Sequence, residues 1–175
     1  SYLQLAKERN VHIKYIFETH FHADFVSGHL DLQAATGATI IFGPQTSTNY
    51  NVHVAADGEE FPLGGLRLVA IHTPGHTLES TCWLLKDASG RDHALFTGDT
   101  LFVGDVGRPD LAQKMGSLTM EDLAGHLYDS LHTKIMTLPD DVIVYPAHGA
   151  GSACGKNMSK ETWDTLGNQK KVNYA

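Results

Sequence analysis

The run Thr19-His20-Phe21-His22-Ala23-Asp24-Phe25 sets two histidines and an aspartate at alternating positions, directly after a strand-like apolar stretch at residues 13–17. Core packing does not call for that arrangement. In an extended segment or tight loop, alternate side chains turn to one side, so His20, His22 and Asp24 can face one locus. Neutral imidazole plus carboxylate is a ligand set for a divalent metal. Desolvating three such groups together is costly unless something compensates them, which points to a bound cation.

The rest of the composition narrows the setting. A chain of 175 residues is one domain, 1–175, with room for a sizeable core. With 42% hydrophobic and 19% charged residues it reads as an ordinary soluble globular protein. A net charge of −7 without a Lys/Arg cluster argues against nucleic acid as a partner. Histidine is the outlier, with 11 residues against 13 Lys and Arg together. The two cysteines, Cys82 and Cys154, are too few for a disulfide framework or a Cys-based zinc site. That agrees with a reducing, cytoplasmic setting. No apolar stretch reaches membrane-spanning length and no signal peptide is visible. The chain opens on Ser1 and closes on Asn173-Tyr174-Ala175, so a longer parent chain is expected.

Strands and helices alternate without repeats or linkers. Residues 2–9 read as a helix end and 12–18 as the strand that delivers the histidine run. Residues 26–36 show helical apolar spacing (Val26, Leu30, Ala34), closed by Gly37. A short buried strand is expected over 38–42, ended by Gly43-Pro44. Residues 60–63 and 66–72 flank a Gly64-Gly65 turn, and 80–86 and 93–97 flank the polar loop 87–92, giving two hairpins. A helix is expected over 119–132 with Thr119 as N-cap, then a strand over 142–145 and a last helix over 159–169 capped by Ser159. The mixture predicts an α/β layered sandwich.

Three further strands run into candidate ligands. Residues 68–71 lead to the turn His72-Thr-Pro-Gly-His76, residues 94–97 to Gly98-Asp99-Thr100, and residues 142–145 to Pro146-Ala-His148. A Pro-Gly or Gly-Asp turn is by itself common, since these residues favour turns for backbone reasons. Four strands that each deliver His or Asp at the same edge are not explained by turn chemistry.

In this order the four motifs resemble those of the metallo-β-lactamase superfamily, and the resemblance runs over essentially the whole chain. It implies an αββα sandwich with a metal site at the edge between two sheets, here lacking leading N-terminal strands. The closer likeness is to the persulfide dioxygenase (sulfur dioxygenase) branch, including forms fused to rhodanese domains. It rests on Thr19-His-Phe-His-Ala-Asp24, Gly98-Asp-Thr-Leu-Phe102, Gly107-Arg108-Pro-Asp110 and the stretch Gly149-Ala-Gly-Ser-Ala-Cys154-Gly-Lys-Asn157. Many superfamily hydrolases carry a histidine directly after the first-motif aspartate to hold a second metal. Phe25 stands there instead, which favours one metal over two.

This likeness implies one Fe(II) per chain held by His20, His76 and Asp99. Two histidines and one carboxylate leave positions for water, O₂ and a substrate sulfur. Zn²⁺ is the alternative ion, but it cannot exchange electrons with O₂. His22, Asp24 and His148 are then catalytic, bonding metal-bound water or orienting the ligands. Arg108 would bind a substrate carboxylate or else pair with Asp110, and Cys154 would meet the substrate sulfur. Cys82 reads as core. The implied reaction oxidises a low-molecular-weight thiol persulfide with O₂ to sulfite and thiol. A homodimer and a rhodanese domain in the parent chain are compatible with the likeness, whereas no membrane partner is expected. A glyoxalase II-like zinc thioester hydrolase is the competing enzyme reading, disfavoured by Phe25. An inactive or metal-binding, sulfur-handling module is the non-enzymatic one.

Overall fold

In the computed structural model, which describes residues 1–110 and 118–175, helix α1 (Tyr2–Glu8) leads to strand β1 (Tyr15–Phe17) and helix α2 (His29–Thr36). Strands β2 (Thr39–Phe42), β3 (His53–Val54), β4 (Glu60–Leu63), β5 (Leu66–His72), β6 (Thr81–Lys86) and β7 (Asp92–Gly98) follow. Helix α3 (Met120–Ser130) continues into a π-helical turn (Leu131–Ile135). Strands β8 (Ile143–Pro146) and β9 (Asp164–Thr165) and helix α4 (Leu166–Val172) close the chain.

Two sheets form. The smaller has the parallel order β1-β2-β3, with α2 as the crossover that a parallel β1–β2 pair requires. The larger runs β4-β5-β6-β7-β8-β9, antiparallel except for the parallel β7–β8 pair. Strand alternation then sorts side chains into three layers of core. From β6, Trp83 turns towards Ile41 and Phe61 between the sheets, while Cys82 and Leu84 join Leu127, Leu131 and Ile135 under α3. On the far side Ile40 and Phe42 of β2 pack with Ile16, and Leu32 of α2 leans on them. Helix, sheet, sheet, helix is the αββα order, as expected.

Both hairpins form as the sequence indicates, and Thr119 caps α3 in a reciprocal bond with Asp122. Three expectations need correction. The strand placed over 12–18 pairs only from Tyr15. The helix expected over 26–36 begins at His29; Val26 is almost fully exposed, and α2 buries none of its residues. The helix expected over 159–169 lies instead over Leu166–Val172, with Thr165 rather than Ser159 as cap. Ser159 Oγ accepts the Glu161 N–H in a local turn, while Asp164 and Thr165 pair with β8. Strand pairing there overrides helical propensity. Among the described residues no helix is long and apolar enough to cross a membrane.

Candidate metal centre

The expected strand ends do meet. β1 of the smaller sheet leads to His20, and β5, β7 and β8 of the larger sheet lead to His76, Asp99 and His148. The site therefore lies where the two sheets open on each other. Two glycines let the loops come this close. Gly98, at φ +53°, turns the chain out of β7, and a Cβ there would lie 2.6 Å from the Thr19 side chain. At Gly107 a Cβ would stand 1.8 Å from the Asp99 carbonyl oxygen.

Ligand atoms of His20, His76 and Asp99 lie within 4.8 Å of one another, and all three residues are buried. Asp99 Oδ2 is 3.6 Å from His20 Nε2 and 3.4 Å from His76 Nε2. The outer nitrogens orient the rings. His76 Nδ1–H donates to the Arg108 carbonyl at 2.9 Å, which leaves Nε2 as the bare nitrogen. His20 Nδ1 lies 2.9 Å from Thr19 Oγ1. Burial, reinforced by the neighbouring His76, His22 and His148, drives the His20 pKa down to about 2, so its imidazole is neutral. Among the described residues neither Asp99 oxygen has a hydrogen-bond partner, although its side chain is fully buried. A buried carboxylate without a donor is costly, and a cation shared with the two imidazoles would remove that cost. The residues fit a metal on this observation.

Around this triple, His22, Asp24 and His148 form a second group within 4.8 Å, and Asp99, His148 and Cys154 a third. His148 Nε2 is 3.4 Å from Asp24 Oδ2 and 3.5 Å from Asp99 Oδ1. The Cys154 thiol is pushed up to about 11 by burial and by the Asp99 and Asp24 charges, outweighing the Ser152 contact. Phe25 stacks against His22 with ring centroids 4.3 Å apart, half-exposed at the rim. The Arg108 side chain stands outside these groups. It makes a two-bond pair with Asp110, at 2.9 and 2.5 Å, and donates to the Ala153 carbonyl. Its backbone carbonyl is what touches the site. Cys82 is core, as expected.

Sequence reasoning missed Glu18. Its buried carboxylate accepts from Ser27 Oγ at 2.6 Å and lies 3.6 Å from His22 Nε2 and 3.3 Å from His29 Nδ1. Burial raises its pKa, but hydrogen bonds from His22 and Ser27 and the nearby His29 outweigh that, so it stays ionised. With Nε2 turned to Glu18, His22 Nδ1 is buried and has no partner among the described residues. A charged residue closing an apolar strand was the available signal. Glu79, also buried, accepts the Phe21 N–H at 2.9 Å and pins the histidine run.

An αββα sandwich with imidazoles and one carboxylate gathered at four strand ends defines a class of metal-binding scaffold. The metallo-beta-lactamase superfamily model matches residues 2–148, and the chain belongs to that superfamily. Human mitochondrial persulfide dioxygenase ETHE1 is 34% identical over 146 residues, 83% of this chain and 52% of that protein. A probable hydroxyacylglutathione hydrolase of Schizosaccharomyces pombe is 32% identical over 142 residues, 81% of this chain and 50% of that protein. The crystal structure of a metallo-beta-lactamase from Staphylococcus aureus superposes with a TM-score of 0.88 at 35% identity, covering 99% of this chain and 52% of that one. The chain thus spans about half the length of these relatives.

Proposed function

We propose that the chain is the catalytic domain of a mononuclear iron persulfide dioxygenase. The observation that carries this reading is the buried triple of His20, His76 and Asp99, whose ligand atoms lie within 4.8 Å of one another while neither Asp99 oxygen has a hydrogen-bond partner among the described residues. Likeness to human persulfide dioxygenase ETHE1 supports it, as does Phe25 standing where a second-site imidazole would be needed. These three side chains would hold Fe(II), which supplies electron exchange with O₂. The overall change is R–S–SH + O₂ + H₂O → R–SH + SO₃²⁻ + 2H⁺, with four electrons passing from sulfur to O₂.

The remaining residues have work that follows from their positions. His148 Nε2, between Asp24 and Asp99, takes up a proton released as water attacks, and the half-exposed Asp24 passes it towards solvent. Glu18 and Glu79 keep His22 and the histidine run in register. Cys154 lines the substrate-sulfur side of the site, and Arg108 receives a substrate carboxylate by exchanging its Asp110 partner.

The zinc thioester hydrolase reading keeps two supports. His22, Asp24 and His148 form their own group, and hydroxyacylglutathione hydrolases are equally similar. Turnover of glutathione persulfide under isotopically heavy O₂ separates the two. Heavy oxygen in the sulfite is the expected result. Hydrolysis of S-lactoylglutathione with no sulfite formed would replace the dioxygenase reading.

A further inference from the structure

Metal ligation by His76 depends on the turn that carries it, and α3 with its π-helical extension grips that turn at three points. Ser130 Oγ, at the end of α3, donates to the Pro74 carbonyl at 2.8 Å. Lys134 Nζ, in the π-helical turn, donates to the His72 carbonyl at 2.7 Å. Gly75, at φ +151°, lies so close to the helix that a Cβ there would stand 2.5 Å from Leu127 Cα. The π-helical turn is closed by the Met136 N–H on the Leu131 carbonyl at 2.8 Å, and such turns recur at functional sites. Asp57 completes the hold from the loop between β3 and β4. Its Oδ1 accepts the His72 N–H at 2.8 Å, and its Oδ2 accepts from Lys134 Nζ at 2.7 Å. One Lys–Asp pair thus fixes both backbone groups of His72.

We propose that Lys134, supported by Ser130 and Asp57, is a positioning residue for the metal ligand His76. Together these side chains hold the His72–His76 turn at the setting in which His76 Nε2 meets Asp99 Oδ2. The inference rests on reading His20, His76 and Asp99 as a metal site, and it holds whichever reaction the metal supports. The Arg108 carbonyl orients the His76 ring through Nδ1, but only once the turn has delivered the ring to it. Lys134 acts one step further back, through the backbone of the turn. Its pair with Asp57 is partly open to solvent, with side chains 34% and 50% exposed. Water can therefore satisfy both charges when the pair is broken, and a pair so exposed contributes little to global stability. Water cannot hold the His72 carbonyl in place. Loss of the pair should reach the metal affinity more than the stability of the fold.

A matched lysine separates positioning from plain stability. Lys170 Nζ makes the same two kinds of bond on α4, to the Leu138 carbonyl at 2.7 Å and to Asp140 at 2.6 Å, and both partners lie outside the ligand turns. Zinc affinity of the chain is measured by competition with a chromophoric chelator, beside the thermal melt of the metal-free chain. His76→Ala identifies the zinc that this site holds. Lys134→Met should weaken that zinc roughly tenfold or more, and Lys134→Arg should restore most of the affinity. Ser130→Ala should weaken the same zinc. Lys170→Met should leave the affinity unchanged at a comparable shift in melting temperature. Parental affinity in Lys134→Met, or an equal loss in Lys170→Met, would overturn the proposal. A parental chain that holds no zinc through His76 would overturn it together with the metal-site reading. Failure of the dioxygenase reading shows separately, as absent oxygen uptake by the iron-loaded parental chain.

Discussion

Replacing Gly107 with alanine should disable the site without touching a ligand. A Cβ at Gly107 would stand 1.8 Å from the Asp99 carbonyl oxygen, 3.0 Å from its carbonyl carbon and 3.1 Å from His76 Cβ. Ordinary contact begins at 3.4 Å, so the two loops must part by about 1.6 Å. Both neighbours are ligand residues, and the next carbonyl, that of Arg108, is what fixes the tautomer of His76. The clash is with backbone, which has no rotamer to escape into. Overpacking of this kind costs about 1–3 kcal/mol of stability. Loss of ligand orientation lowers metal affinity roughly 10- to 100-fold. A misplacement of about 1 Å lowers turnover by about 100-fold. Competition with a chromophoric chelator measures the affinity, and a thermal melt of the metal-free chain measures the stability. A Gly107→Ala chain with parental metal affinity and turnover would refute the reasoning.

Three other outcomes follow from single side chains. Glu18→Ala should destabilise the chain by about 1–3 kcal/mol, because it leaves the Ser27 hydroxyl buried without its acceptor and removes the carboxylate that faces His22 and His29; denaturant melts against Glu18→Gln check this. His20 is neutral when folded, with its pKa near 2, but titrates near 6.5 when unfolded. The unfolded state therefore binds the extra proton first, and stability of the metal-free chain falls as pH drops below about 6.5, by up to about 1.4 kcal/mol per unit. Urea melts at about pH 7.5 and about pH 5.5 should show it, and His20→Asn should flatten it. Arg108→Ala should raise KM for a carboxylate-bearing persulfide about tenfold or more with little change in kcat. A fall in melting temperature with KM unchanged would instead make Arg108 a loop staple to Asp110 and Ala153.

The sequence showed the site more fully than the boundaries of its elements, for physical reasons. His20, His76, Asp99 and His148 each follow a strand through a short turn, so spacing alone fixes them near one edge. The strands themselves were legible where alternation was long, as in β5 to β7. The two-residue strands β3 and β9 carry no period to read. Helix α4 was misplaced because Ser159 looks like a cap locally, and only the pairing of Asp164 and Thr165 with β8 forbids it. Glu18 went unread because its meaning is tertiary. Its partner Ser27 lies on the far side of the histidine loop, and Trp83 Nε1 reaches its carbonyl from the other sheet. Arg108 shows the opposite case: the side chain drew attention, and the backbone carbonyl is what orients His76.

The most direct test of the central claim is iron content of anaerobically purified chain, measured together with O₂ uptake on adding glutathione persulfide. One iron per chain, O₂ consumed and sulfite released in equal amounts is the predicted result. A zinc-loaded chain that hydrolyses a glutathione thioester, and that takes up no O₂ even after iron is supplied, would contradict it.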